Sequence, residues 1–287
     1  MYADYHIHCA FSDDSDEPME NQVKRAIALG LEEMCFTDHV DYGIKRDVDD
    51  PRGIITKKAI EHGKEVEIVL ANVNYPEYFK ELEKMRKLYG KDIQIRNGLE
   101  FGIQSITVQE YENLFETYKD TLDFVLFSMH QVDNQEFWTQ DFQKGKTQKE
   151  YNDAYYDEIY QTMQMFKNYS CLAHLDLLAR YDMQGVYPFE KEKDKIAEIL
   201  KLAIKDGKGI EVNTSSWHYG LKDTQPCRDI LHLYKDLGGK ILTVGSDAHQ
   251  TKYLADHILD AYEILKNEIG ITEICTFEKM KPIFHEI

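Results

Sequence analysis

A length of 287 residues, 43% of them apolar and 30% charged, suits one globular domain and excludes a disordered chain. It also fits a single α/β barrel, which takes about 250 residues. Asp and Glu outnumber Lys and Arg by 52 to 34, and the net charge of -18 argues against nucleic acid or an anionic membrane as partner, because both need basic patches.

The first predicted strand, Ala3–His8, carries His6 and His8. Side chains alternate faces along a strand, so the two imidazoles point the same way and can converge on one metal ion. Taken alone, such a pair is more often two surface histidines. Asp14 follows in the next loop, flanked by Asp13 and Asp16, and Val23, Ala26, Ile27 and Gly30 then share one helical face. A second strand, Glu33–His39, ends in Thr37-Asp38-His39. Residues 41–74 make a long connection, with a charged turn from Asp47 to Gly53 and a helix expected after it.

The third strand, Ile93–Phe101, contains Gly98-Leu99-Glu100, and the fourth, Phe124–His130, ends in Ser128-Met129-His130. A second long connection, 131–147, carries Phe137 and Trp138. Both connections leave the C-terminal ends of strands, where barrel enzymes place their chemistry, so both are expected to act as lids or pocket walls. Tyr151, Tyr155, Ile159, Met163 and Phe166 mark a helix whose stripe is core. The fifth strand, Cys171–Asp176, holds Ala173-His174-Leu175-Asp176, with Arg180 six residues beyond His174. Ile196, Ile199, Leu200, Ala203 and Ile204 give the clearest helix. The sixth strand, Gly209–Thr214, has Asn213 near its end, with Trp217, His218 and Tyr219 in the loop after it. The seventh, Lys240–Asp247, runs into Ser246-Asp247-Ala248-His249, and a short strand over Ile274–Phe277 closes the chain.

Strand and helix alternate throughout, which reads as βαβ units closing a parallel barrel in one domain over 1–287. Five scattered cysteines (Cys9, Cys35, Cys171, Cys227 and Cys275) without a C-x-x-C pair read as reduced thiols of a cytoplasmic protein. No signal peptide is expected, and no apolar run reaches the ~20 residues that span a bilayer. Of eleven histidines, His6, His8, His39, His130, His174 and His249 all stand at strand ends. Each alone is more often a core histidine satisfied by a carbonyl, and Asp38 and Asp247 also suit helix N-caps. Gathered at one mouth, however, these rings and carboxylates repel and lose hydration unless cations sit among them.

As an ordered set, His6-Ile7-His8, Ser12 with Asp14, Thr37-Asp38-His39, Gly98-Leu99-Glu100, Ser128-Met129-His130, Ala173-His174-Leu175-Asp176 with Arg180, and Ser246-Asp247-Ala248-His249 resemble the PHP (polymerase and histidinol phosphatase) superfamily, in its histidinol-phosphate phosphatase branch. The resemblance implies a distorted (β/α)7 TIM-like barrel and a trinuclear metal centre. One ion is expected between His6, His8, Glu100 and Asp247, and a second at Glu100, His130 and His174. A third falls to Asp14, His39 and His249. Many relatives have histidine where this chain has Asp14, a harder ligand. Such mixed donors suit Zn, Mn or Fe without choosing among them.

Three divalent ions outweigh the carboxylates of Glu100, Asp247 and Asp14, so the site invites a phosphate monoester despite the acidic surface. Metals also lower the pKa of bound water to about 7, which supplies a nucleophile at neutral pH. Glu100 and Asp247 are the expected catalytic carboxylates. Asp176 is a candidate acid for the leaving alkoxide, with metal-bound water as the alternative. Arg180 is expected to bind phosphate bidentately, the alternative being a surface ion pair. Trp138 and Asn213 are candidates for contact with the substrate, with packing for Trp138 and support of the ligands for Asn213 as the alternatives. The implied activity is hydrolysis of L-histidinol phosphate in histidine biosynthesis. Alternatives are a PHP activity on another small phosphate ester or nucleotide, an amidohydrolase barrel, and a metal-dependent regulator or store with closed coordination. Oligomeric state is not legible.

Overall fold

The computed structural model describes residues 1–61 and 64–287. Seven parallel strands form the barrel: β1 (Ala3–Ile7), β2 (Glu33–Phe36), β3 (Gln94–Gly102), β4 (Phe124–Ser128), β5 (Cys171–Leu172), β6 (Gly209–Asn213) and β7 (Leu242–Gly245). They pair in chain order, and the seam between β7 and β1 is closed by a bridge from Ile7 to Ala248. The His8 N–H donates to the Ala248 carbonyl there at 3.0 Å. The result is a nearly closed seven-stranded parallel barrel.

The register decides what the interior holds. Glu100 lies opposite Leu126, and Leu126 opposite Cys171, so these side chains share the inner face. Pairing of β1 with β2 shifts between Asp4 and Ile7. That irregularity lets both Tyr5, lower down, and His6, at the mouth, serve the interior. Below the mouth the barrel is filled by Ala3, Tyr5, Cys35, Phe124, Leu126, Cys171, Ala173, Cys275 and Phe277. Two of these come from a C-terminal hairpin, Glu273–Glu278 with Lys281–Glu286, which stops the closed end. It is tied down by the Phe277 N–H to Tyr5 Oη at 2.7 Å and the Met280 N–H to the Asp123 carbonyl at 2.9 Å.

Outside, α1 (Met19–Leu29), α2 (Tyr75–Tyr89), α3 (Val108–Tyr118), α4 (Gln148–Met165), α5 (Phe189–Lys205) and α6 (Arg228–Asp236) bury apolar stripes against the strands. Helix α4 starts on a capping box between Thr147 and Glu150, and the helical stripes expected over 151–166 and 196–204 fall on α4 and α5.

Two expectations fail. Among the described residues of 41–74 there is no helix; Ile55–Glu61 and Lys64–Leu70 pair as antiparallel strands instead. From Val66 to Leu70 exposure alternates residue by residue, a period of two that a helix does not produce. The fifth strand also ends at Leu172, short of Asp176. His174 takes a φ of 21°, outside extended geometry, and its N–H leaves the sheet to meet Glu211.

Candidate metal centre

Glu100 is the hub of the mouth, with no solvent exposure. Its Oε2 lies 3.1 Å from His6 Nε2, 3.4 Å from His8 Nε2 and 2.9 Å from His39 Nδ1. Its Oε1 lies 3.1 Å from His130 Nε2 and 3.0 Å from His174 Nε2, and accepts from Ser128 Oγ at 2.6 Å. Asp247 Oδ1 approaches His8 Nε2 at 3.3 Å and His6 Nε2 at 3.6 Å. Asp14 Oδ2 stands 3.4 Å from His39 Nε2 and 3.3 Å from His249 Nε2. All nine side chains expected as ligands therefore meet at one place. They come from six strand ends because every strand of a parallel barrel points its C-terminus the same way.

The donors face one another without bonding. His6 Nε2, His8 Nε2, His39 Nδ1 and Glu100 Oε2 are buried and have no hydrogen-bond partner among the described residues, although each ring nitrogen lies within 3.4 Å of Glu100 Oε2. Buried polar atoms are normally satisfied, so lone pairs converging in this way fit a ligand set. Four trios bring their donor atoms within 4.8 Å: His8, His39 and His249; His6, His8 and Glu100; His6, His174 and Asp247; and His39, Glu100 and His130. Burial works against the charge on Glu100, but the rings of His6, His39 and His130 hold its carboxyl well below the usual range. Burial likewise opposes a charged His130, yet Asp41 and Glu100 outweigh it and lift the ring to about 9. Asp247 has φ 54° and His174 φ 21°, backbone strain placed at the two expected ligands that leave their strands.

A further layer escaped the sequence reading. Glu211, on β6, sits 2.6 Å from His6 Nδ1, and Asp41 sits 2.7 Å from His130 Nδ1. Lys45 Nζ is held by Asp13 at 2.6 Å and Asp41 at 3.0 Å. Asp38, rather than binding at the centre, accepts from the Cys9 N–H and Ser12 Oγ, both at 2.8 Å, and so fixes the loop after β1. A methyl group at Gly102 would overlap the Asp41 carboxylate and the His130 ring, so this strand end accepts only glycine. The available signals were an acidic residue in the middle of an apolar strand (Gly209-Ile210-Glu211-Val212) and a lone lysine soon after Thr37-Asp38-His39.

The centre opens into a cavity of about 710 Å³. Lys57, Ile68 and Leu70 from the first long connection and Glu136 and Trp138 from the second line it, together with Arg180, Tyr181 and Tyr219. Both connections are pocket walls. Trp138 is half-exposed there, its ring 6.1 Å from that of Tyr181. Arg180 faces the cavity, but not as a free fork. Its Nε and Nη2 donate to Gln225 Oε1 at 3.1 and 2.8 Å, Nη2 also donates to Ser215 Oγ at 2.7 Å, and Nη1 reaches Asp247 Oδ2 at 3.5 Å. Tyr219 covers its face at 4.1 Å. With Nε and Nη2 taken by Gln225 and Ser215, the fork is not free for the expected bidentate grip, and Nη1, beside Asp247, is its least engaged nitrogen.

Two other expectations shift. Asp176 does not line the cavity: its Oδ2 accepts the Cys227 N–H at 2.9 Å, and burial raises its carboxyl to about 6. Asn213 is fully buried below the mouth, where its Oδ1 accepts from the Ser215 N–H at 3.0 Å and from Ser215 Oγ at 2.6 Å. It supports the wall and does not reach the cavity surface.

A PHP domain model matches residues 4–215 of the chain. A histidinol-phosphatase of Lactococcus lactis is 33% identical, over 97% of this chain and 95% of its own. A Thermotoga maritima protein named a probable histidinol-phosphatase is 27% identical, over 92% and 91%. The solved structure of histidinol phosphate phosphatase from Lactococcus lactis, complexed with Zn, L-histidinol and phosphate, superposes with a TM-score of 0.81 at 30% identity, covering 98% of each chain.

Proposed function

The chain belongs to the PHP domain family, and on that premise we propose that it is a histidinol-phosphatase, hydrolysing L-histidinol phosphate to L-histidinol and inorganic phosphate in histidine biosynthesis. The observation that carries the reading is the set of unpartnered donors of His6, His8, His39 and Glu100 at the mouth of a fold shared with a structure that holds L-histidinol and phosphate. The whole chain, 1–287, is taken as one phosphatase domain. Its scattered, free cysteines suit a reducing, cytoplasmic setting.

His6, His8, Glu100 and Asp247 would hold one divalent ion, Glu100, His130 and His174 a second, and Asp14, His39 and His249 a third. When bound, such ions (Zn, Mn or Fe) lower the pKa of a water and draw charge from phosphoryl oxygens. The chain's own part is to place the ester. Arg180, pinned by Gln225 and Ser215, offers Nη1 to a phosphate oxygen from a fixed position, which avoids the entropy cost of ordering a free side chain. Tyr181, Tyr219 and Trp138 give the organic half of the substrate an aromatic wall that excludes water. Asp176 is absent from the cavity lining, which weighs against it as the source of the proton for the leaving oxygen.

Phosphate release from L-histidinol phosphate, sugar phosphates, nucleotides and aryl phosphates tests the reading. The highest kcat/KM is expected for L-histidinol phosphate. A clear preference for another ester would replace the substrate and keep the reaction class.

A further inference from the structure

We infer that Glu211, which binds no ion itself, is the positioning residue that governs how tightly the metal centre is held, acting on two of its ligands at once. The inference rests on the metal assignment above. Glu211 is fully buried on β6, beneath the mouth. Its Oε1 is 2.6 Å from His6 Nδ1, and a carboxylate only accepts, so Nδ1 carries the proton. The lone pair of His6 is thereby left on Nε2, the atom that faces Glu100 Oε2 at 3.1 Å and Asp247. The other oxygen, Oε2, accepts the backbone N–H of His174 at 2.9 Å and so holds a residue whose backbone has left the strand. Gly245 makes room for this arrangement: a methyl group there would meet Glu211 Oε1 at 2.7 Å and also the Cβ of His6.

Asp41 makes the same contact with His130 Nδ1, at 2.7 Å, and serves as an internal contrast. Its second oxygen lies 3.0 Å from Lys45 Nζ, so a lysine draws off part of its charge. Glu211 has no such cation among the described residues; its third partner is the Asn213 amide at 3.3 Å. A carboxylate behind a ligating imidazole makes the ring a better donor, and its undamped form does so most strongly. Glu211 therefore strengthens His6 more than Asp41 strengthens His130.

The experiment is zinc competition against a chromophoric chelator, with the full chain, for the wild type, Glu211→Gln and Asp41→Asn. Glu211→Gln is expected to lower zinc affinity roughly 10- to 100-fold, with a smaller loss for Asp41→Asn. Affinity within twofold of wild type in Glu211→Gln, or a larger loss in Asp41→Asn, overturns the inference while zinc binding itself stands. A wild type that takes up no zinc overturns the metal assignment and the inference with it. Should Glu211→Gln not fold, nitrogen NMR of zinc-loaded, 15N-histidine-labelled wild type decides the matter: a protonated Nδ1 on His6 is expected, and an unprotonated one contradicts it.

Discussion

Glu33, at the closed end of the barrel, and Glu100, at its mouth, are both buried carboxylates on neighbouring strands. Glu33 Oε1 accepts from Tyr5 Oη at 2.5 Å and from Arg96 Nε at 2.7 Å, and Arg96 reaches on to Glu278 at 3.2 Å. The chain brings its own cation to that end. Glu100 faces five imidazoles and one serine hydroxyl, with no lysine or arginine among its described partners. A buried carboxylate needs a positive charge, a set of hydrogen-bond donors or a proton. The closed end is complete as folded, whereas the mouth, on the proposed metal assignment, would be completed by ions from solution.

Glu192 on α5 shows a third solution. It is buried, its Oε1 has no hydrogen-bond partner among the described residues, and burial together with the nearby Asp153 raises its carboxyl to about 7. Here, below about pH 7, the proton itself removes the charge.

Four experiments would break or sharpen this contrast. The largest effect is expected at the mouth, where chelation should cut phosphate release about a thousandfold and added Zn or Mn should restore it; activity that survives chelation would break the contrast. At the closed end, Arg96→Met leaves Glu33 buried without its guanidinium. A stability loss of about 3 kcal/mol by denaturant titration is expected, with kcat unchanged. A variant stable but inactive would mean that the two ends are not separate. Arg180→Lys keeps the charge and loses the planar donors held by Gln225 and Ser215, so KM should rise about tenfold with a modest fall in kcat. Equal KM values would remove Arg180 from the phosphate site.

The smallest effect is a pH effect. The folded Glu192 binds its proton more tightly than an unfolded glutamate with pKa 4.5, so stability falls as pH rises from 4.5 to about 7 and then levels off. Glu192→Gln removes that decline. Its Tm should exceed that of wild type by roughly 2 °C at pH 8 and match it near pH 4; a difference independent of pH would exclude this cause.

The positions of the proposed ligands were legible because a strand end has one address in a barrel. His6-Ile7-His8, Glu100, His130, His174 and Asp247 each follow from a short apolar run and a polar residue at its C-terminal side. Glu211 was not legible in this way. It stands in mid-strand, and its partner His6 is 205 residues away, joined to it only when β7 closes on β1. Asp41 and Lys45 lie in a connection whose turn sets their reach, and a turn carries no period to read. Arg180 was placed correctly at the mouth, but its fork is occupied by Gln225, 45 residues on. A helix is expected where Ile55–Glu61 and Lys64–Leu70 pair as strands, because charged residues mask an alternation that shows in the exposure of Val66 to Leu70. Local pattern thus found the donors, and tertiary contact decided what orients them.

The most direct test of the claim about the mouth is elemental analysis of the purified wild-type chain beside Glu100→Gln. Two to three divalent ions per chain are expected in the wild type, with most of them lost in the variant, because Glu100 touches five of the imidazoles. A wild type without tightly bound metal, or a Glu100 variant with the same content, would contradict it.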